Sequence, residues 1–258
     1  MTAAVPTLDA PTRDALAELV LGVADDEFVI GFWDSEWTGI APMLEEDVAT
    51  SSIAQDELGH ARALYELLAE LTEDDADRIA FGREAEAYRH AALLNHARGD
   101  WAFSVARRYL YETADAVRLA ALAASSHQGL AALAGKMRRE ETYHLIHAEA
   151  WLRRLADGAE DGRQRLATAI ECLWADAQQV FAPLDSEQAL LRSGLLTTPM
   201  AELHTTWLTR VRPPLEEIAG ALPHVAPSRD GRRHRTDDFR WLHGEFTMVA
   251  RSQQGATW

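Results

Sequence analysis

Cysteine, lysine and mid-chain proline are what this sequence lacks. A single cysteine, Cys172, excludes a disulfide framework and a thiolate metal cluster. Lys136 is the one lysine, and basic side chains as a whole are few: 25 against 41 acidic ones, for a formal net charge of -16. A surface so acidic repels phosphate backbones and anionic headgroups, which argues against nucleic acid and membrane surfaces as partners. No run of 18 apolar residues is present, and the opening MTAAVPTLDAPTRD has no signal-like hydrophobic region, so a cytoplasmic location is expected. Alternating β-branched runs bounded by Asn-Gly or Asp-Gly are missing, as are a Gly-rich phosphate loop, a nucleotide fingerprint and a Ser/His/Asp signature. With 47% hydrophobic residues, the chain still has ample material for a buried core.

From Met43 to Ala182 no proline occurs. Proline costs about 3 kcal/mol inside a helix, so this long stretch, rich in Ala, Leu, Glu and Arg, reads as consecutive helices. The expected fold class is all-α: a four-helix bundle with additional C-terminal helices, in one domain spanning 1–258. The bundle core covers about 12–156 and the helical extension about 161–258. Helices are expected at about 12–38 (with Gly22 a candidate break), 45–71, 101–124 and 127–156. A shorter one is expected from a Thr72/Asp75 capping box to about Asn95, and a sixth over about 161–181. Asp100 and Ser126 are the expected caps of the third and fourth bundle helices. Prolines 199, 213, 214, 223 and 227 are expected to divide the remainder into short helices, with an irregular link from Leu222 to Arg235 and a last helix opening at Thr236.

Two segments share one spacing: Glu57-x-x-His60 and Glu141-x-x-His144. Positions i and i+3 lie on one helical face, so each pair offers a carboxylate and an imidazole to a common point. Ile53, Glu57, His60, Leu64 and Leu71 form one stripe, and Leu133, Met137, Glu141, His144, Ala148 and Trp151 another, which puts both pairs on apolar faces. Core carboxylates are costly unless paired or bound to metal. Two Glu-x-x-His helices joined by two helices with lone carboxylates are the pattern of carboxylate-bridged two-metal bundles. On the third helix the inward candidate is Glu112, which shares a stripe with Trp101, Val105, Arg108 and Leu119; Asp115 is the reserve. The first helix offers Glu27 and Glu36. Glu27 precedes Glu57 by 30 residues, close to the 29 between Glu112 and Glu141, and simple antiparallel geometry favours it unless the link after Thr38 shifts the register. His147 reads as a neighbour of the site rather than a ligand. A mixed Glu/His set suits iron or manganese better than structural zinc.

Three stretches carry a family resemblance: Ser35-Glu36-Trp37-x-Gly39-x-x-Pro42, Tyr143-His144-x-x-His147, and Gly231-x-x-His234-x-Thr236 with the closing Gly255-Ala256-Thr257-Trp258. The sequence resembles the phenylacetate-degradation proteins that form 1,2-phenylacetyl-CoA epoxidase, a multicomponent monooxygenase of ferritin-like fold, and among them the C-type chain. The resemblance implies a structural partner for the catalytic A-type chain, in a homodimer or hetero-oligomer. It implies no metal of the chain's own, since iron and catalysis belong to the A-type chain, which activates O2 and epoxidises the aromatic ring of phenylacetyl-CoA. Yet Gln55-Asp56-Glu57-x-Gly59-His60 and Glu140-Glu141-x-x-His144 read like the catalytic type. The alternative is therefore a metal-bearing chain with a di-iron (or manganese) centre. The catalytic type's Ser-Glu-x-x-Gly-x-x-Pro element carries its first-helix ligand, so the resemblance selects Glu36 over Glu27. The implied metal set is Glu36, Glu57, His60, Glu112, Glu141 and His144.

Overall fold

Helices account for the secondary structure of the computed structural model, which describes residues 8–252; no strand occurs among the described residues. The closing Gly255–Trp258 motif lies outside them. Four long helices form the bundle: α1 (Ala10–Ser35), α2 (Leu44–Thr72), α4 (Trp101–Leu122) and α5 (Gln128–Ala156). A short α3 (Ala76–Phe81) follows α2. Outside the bundle lie α6 (Glu160–Ala177), α7 (Glu187–Ser193), α8 (Met200–Ala219) and α9 (Asp237–Ser252). α6 and α8 pack against α4, while α7 and α9 lie against α1.

Local chemistry sets most of the boundaries. Asp9 and Asp100 open α1 and α4 by accepting the amide protons of Thr12 and Phe103. α1 runs through Gly22 without interruption. At α5 the expected Ser126 cap is replaced by His127, whose Nδ1 accepts from the Leu130 amide at 3.1 Å. α1 and α2 are antiparallel and close. A β-carbon on Gly31 would lie 3.0 Å from Leu58 Cγ and 3.1 Å from Glu57 Cβ, so the absent side chain at 31 lets the helices meet beside Glu57.

Two further expectations are corrected. The segment from 72 to 95 is not one helix. Thr72 ends α2, Asp75 alone caps α3, and beyond Gly82 the chain forms only isolated 3-10 turns at Ala85–Ala87 and Ala92–Asn95. Its carbonyl oxygens turn to tertiary donors instead: those of Tyr88 and His90 accept from Arg235, that of Arg89 from Arg232. The second correction is α8, which passes through Pro213 and Pro214. Leu203, Trp207, Val211 and Leu215 bury one continuous face, and that burial outweighs the lost amide donors. With the bundle formed by two antiparallel helix pairs, the architecture is ferritin-like.

Candidate metal centre

The bundle brings six ionisable side chains to one place in its interior. α1 supplies Glu27, α2 supplies Glu57 and His60, α4 supplies Glu112, and α5 supplies Glu141 and His144. None is more than 3% exposed. They form two overlapping groups, Glu27/Glu57/His60/Glu141 and Glu57/Glu112/Glu141/His144, each with its donor atoms within 4.8 Å of one another. Glu57 and Glu141 belong to both. His60 Nδ1 lies 3.2 Å from Glu27 and 3.3 Å from Glu141; His144 Nδ1 lies 3.4 Å from both Glu57 and Glu141.

Outer groups orient this set. His60 Nε2 donates to Glu140 at 2.8 Å and His144 Nε2 points to Asp56 at 3.3 Å, so each imidazole is held by a carboxylate from the opposite Glu-x-x-His helix and turns Nδ1 inward. Holding the outer nitrogen in this way fixes ring orientation and leaves the inner lone pair for a cation. Tyr111 donates its hydroxyl proton to Glu27, and Arg118 in turn donates to the Tyr111 oxygen at 3.1 Å. Arg118 is ion-paired with Asp26 and Asp115, and Arg232, from the irregular link before α9, adds a second guanidinium to Asp26 at 2.9 Å. On the other side Arg108 pairs with Asp34 and donates to Glu112 at 3.2 Å.

The donor set fits divalent metal. Both carboxylate oxygens of Glu57 and of Glu141, Glu112 Oε2 and His144 Nδ1 are buried without a hydrogen-bond partner, an arrangement too costly for a dry interior unless protons or cations meet it. Free of metal, the cluster balances itself with protons. Burial, then the neighbouring Glu57 charge, pushes Glu27 well above the carboxylate range; burial, then Glu141, does the same to Glu112. Burial would also raise Glu57, but the nearby imidazoles of His144 and His60 more than offset it and hold Glu57 well below that range. For Glu141 too, burial and Glu57 act upward, yet contacts with Glu112, His144 and His60 leave it lowered. Burial would lower both histidines, yet the surrounding carboxylates raise His60 far above its ordinary value and His144 to about 10. Burial and like charge thus favour the proton on Glu27 and Glu112, while the imidazoles favour the ionised forms of Glu57 and Glu141.

Glu36 is the one expected site residue that the fold leaves out. It follows the end of α1, partly exposed, 3.8 Å from Arg98. Nine residues separate it from Glu27, two and a half turns of helix, so a straight α1 that turns Glu27 inward turns Glu36 away. Glu27 takes the first-helix place that the resemblance gave to Glu36. Asp115 is buried but committed to Arg118, and His147 binds Glu46 at 2.7 Å, outside the cluster. The pattern reading missed Asp56 and Glu140 as partners of the histidines. The available signal was an acidic residue immediately before the Glu of both Glu-x-x-His elements.

Known proteins share this arrangement of sequence. The chain is 29% identical over 246 residues to the C component of the 1,2-phenylacetyl-CoA epoxidase of Escherichia coli (strain K12), covering 94% of this chain and 99% of the relative. It is 28% identical over 165 residues to the A component of the same epoxidase, covering 63% of this chain and 52% of that relative. The family described as phenylacetic acid catabolic protein matches residues 1–258. The match takes in the extension that contributes Arg232 as well as the bundle, and the chain belongs to that family.

Proposed function

We propose that this chain is a C-type component of a ring-epoxidising monooxygenase acting on phenylacetyl-CoA, paired with an A-type chain, and that it holds a two-metal centre of its own. The end-to-end likeness to a C-type chain supports the place in the assembly. The observation that carries the metal reading is the set of orphaned oxygens on Glu57, Glu112 and Glu141, facing His60 and His144 inside a four-helix bundle.

Glu27 and His60 in one group, and Glu112 and His144 in the other, would hold divalent cations together with Glu57 and Glu141, which belong to both. Two iron ions there would supply activation of O2; manganese suits the same donors. The chain's own part is to orient and to keep water out. Asp56 and Glu140 retain the Nε2 protons and hold both rings, Tyr111 and Arg118 fix Glu27, and Arg108 fixes Glu112. On the outer side of Arg108, the space bounded by Trp37, Trp101, Trp151, Arg108 and His147 has a free volume of about 10 Å3, room for one water at most.

A second reading has its own support. The Arg108–Glu112 pair and the protonated cluster balance charge without metal, as suits a silent structural partner. Copurification with an A-type chain, followed by elemental analysis of the separated protein after anaerobic reconstitution with Fe(II), separates the readings. Complex formation with about two iron per chain is expected. Complex formation without iron or manganese leaves the structural role alone, and failure to associate removes the assembly role.

A further inference from the structure

Resting on the metal reading above, we propose that the two cation positions are unequal. The Glu27 side takes a divalent cation first, and Arg108 keeps the Glu112 side to a much weaker second binding. Glu57 and Glu141 are common to both groups, so the positions differ only in Glu27 with His60 against Glu112 with His144.

The two carboxylates are handled differently. Glu27 accepts a neutral phenol proton from Tyr111, and the closest Arg118 nitrogen is 3.9 Å away. Glu112 accepts directly from a guanidinium, Arg108 Nη1, at 3.2 Å, and Arg108 is only 5% exposed. The charges behind them differ too. Behind Glu27, Arg118 and Arg232 are met by Asp26 and Asp115, two against two. Behind Glu112, Arg108 has Asp34, but the adjacent Arg107 gives its hydrogen bonds to the carbonyl oxygens of His96 and Ala97. Glu36, also on that side, is taken by Arg98. Arg107 thus spends its donors on neutral oxygens in a water-poor interior, while Arg108 stays on Asp34 and Glu112.

A cation approaching Glu112 therefore competes with a guanidinium in direct contact with the carboxylate, whereas at Glu27 the nearest guanidinium stands back at 3.9 Å and a neutral phenol makes the contact. Coulomb interactions over such distances, poorly screened inside a bundle, are large enough to separate the two affinities by roughly tenfold or more. Arg108 acts here as a positioning residue that sets the order of loading.

The test is an anaerobic Co(II) titration of the metal-free full chain, followed by calorimetry and by the visible and EPR spectra of the bound ion. Two steps are expected, the second weaker by roughly tenfold or more, with an isolated-ion spectrum after the first equivalent and a coupled pair only after the second. Replacing Arg108→Gln together with Asp34→Asn removes the pair without stranding a charge, and should strengthen the second step while the first stays in place. Should that variant fail to fold, Glu112→Gln should abolish the weak step alone, and Glu27→Gln should abolish the tight one. A wild-type chain that takes up two cobalt ions in one step of equal affinity overturns the inference and leaves the metal reading standing. So does a tight step lost in Glu112→Gln but kept in Glu27→Gln. A wild-type chain that binds no cobalt overturns both.

Discussion

Glu27 and Glu36 show how a helix of fixed period discriminates between two identical side chains. Both are glutamates towards the C-terminal end of α1, but only Glu27 is buried with the cluster; Glu36 stays beside Arg98. Glu27→Gln should lose most of the metal bound by the wild type, while Glu36→Gln should bind as the wild type does, both read by metal content after dialysis. Because burial and the Glu57 charge favour the protonated form of Glu27, an amide is a close match in shape and charge. The metal-free melting temperature of Glu27→Gln should therefore stay within about 2–4 °C of wild type, the shift of about 1 kcal/mol in a chain of this size. Equal metal content in the two variants would return the first-helix place to an open question. The protonation pattern makes a second prediction. His60 and His144 are raised, and so are Glu27 and Glu112, so loading divalent cations should displace protons from this set. Protons compete with cations, so uptake should strengthen steeply as pH rises from about 6 to about 8 and weaken as it falls. Titration in buffers of differing ionisation enthalpy counts the released protons, and a pH-independent affinity would contradict this protonation pattern.

Among the elements, the bundle helices were legible because nothing in them argues against helix. The stretch without proline, the Asp100 cap and the apolar stripes agree on the same four segments to within a few residues. Legibility failed where the backbone bonds to distant side chains. Residues 83–95 have helix-forming composition, but Arg232 and Arg235 claim their carbonyl oxygens, and no local pattern reports donors more than 140 residues away. It failed in the opposite sense at α8, where local chemistry forbids what the burial of Trp207 and Val211 enforces. For the site, the Glu-x-x-His spacing and the stripe through Glu112 were sufficient. The choice at α1 was not, because the Ser-Glu family motif competed with the antiparallel spacing, and the buried position went to the residue that spacing favours. Gly31 is the element-scale control on the cluster. Gly31→Val would place branched carbons where α2 approaches, next to Glu57, and should drive α1 and α2 apart. A loss of about 1–3 kcal/mol from overpacking is expected, together with weakened metal uptake, measured on the same sample by thermal melting and cobalt titration. A variant that melts and binds like wild type would show that the helices can separate without cost to the cluster.

Across the whole molecule, a frame of buried ion pairs connects the bundle to its extension. Asp26 is the hub. Burial favours its protonation, but Arg232 and Arg118 overcome this and keep it lowered. Arg232 also donates to the carbonyl oxygens of Gly22, Arg89 and Val180, so a single side chain joins α1, the irregular segment before α4 and the turn that follows α6. Arg232→Met should cost about 3 kcal/mol, a fall in melting temperature of roughly 6–12 °C. Asp26→Asn in the same chain should recover part of it, since a neutral amide no longer needs two guanidiniums. An unchanged melting curve for Arg232→Met would remove Asp26 from this role. The same feature orders biosynthesis. Asp26 is synthesised 206 residues ahead of its partner Arg232. At about 5–20 residues per second, the four bundle helices are made well before that partner exists, so the nascent bundle waits for seconds or longer with Asp26 held by Arg118 and the Ala91 amide, and the segment carrying Glu27 reaches its final setting only once Arg232 has been added.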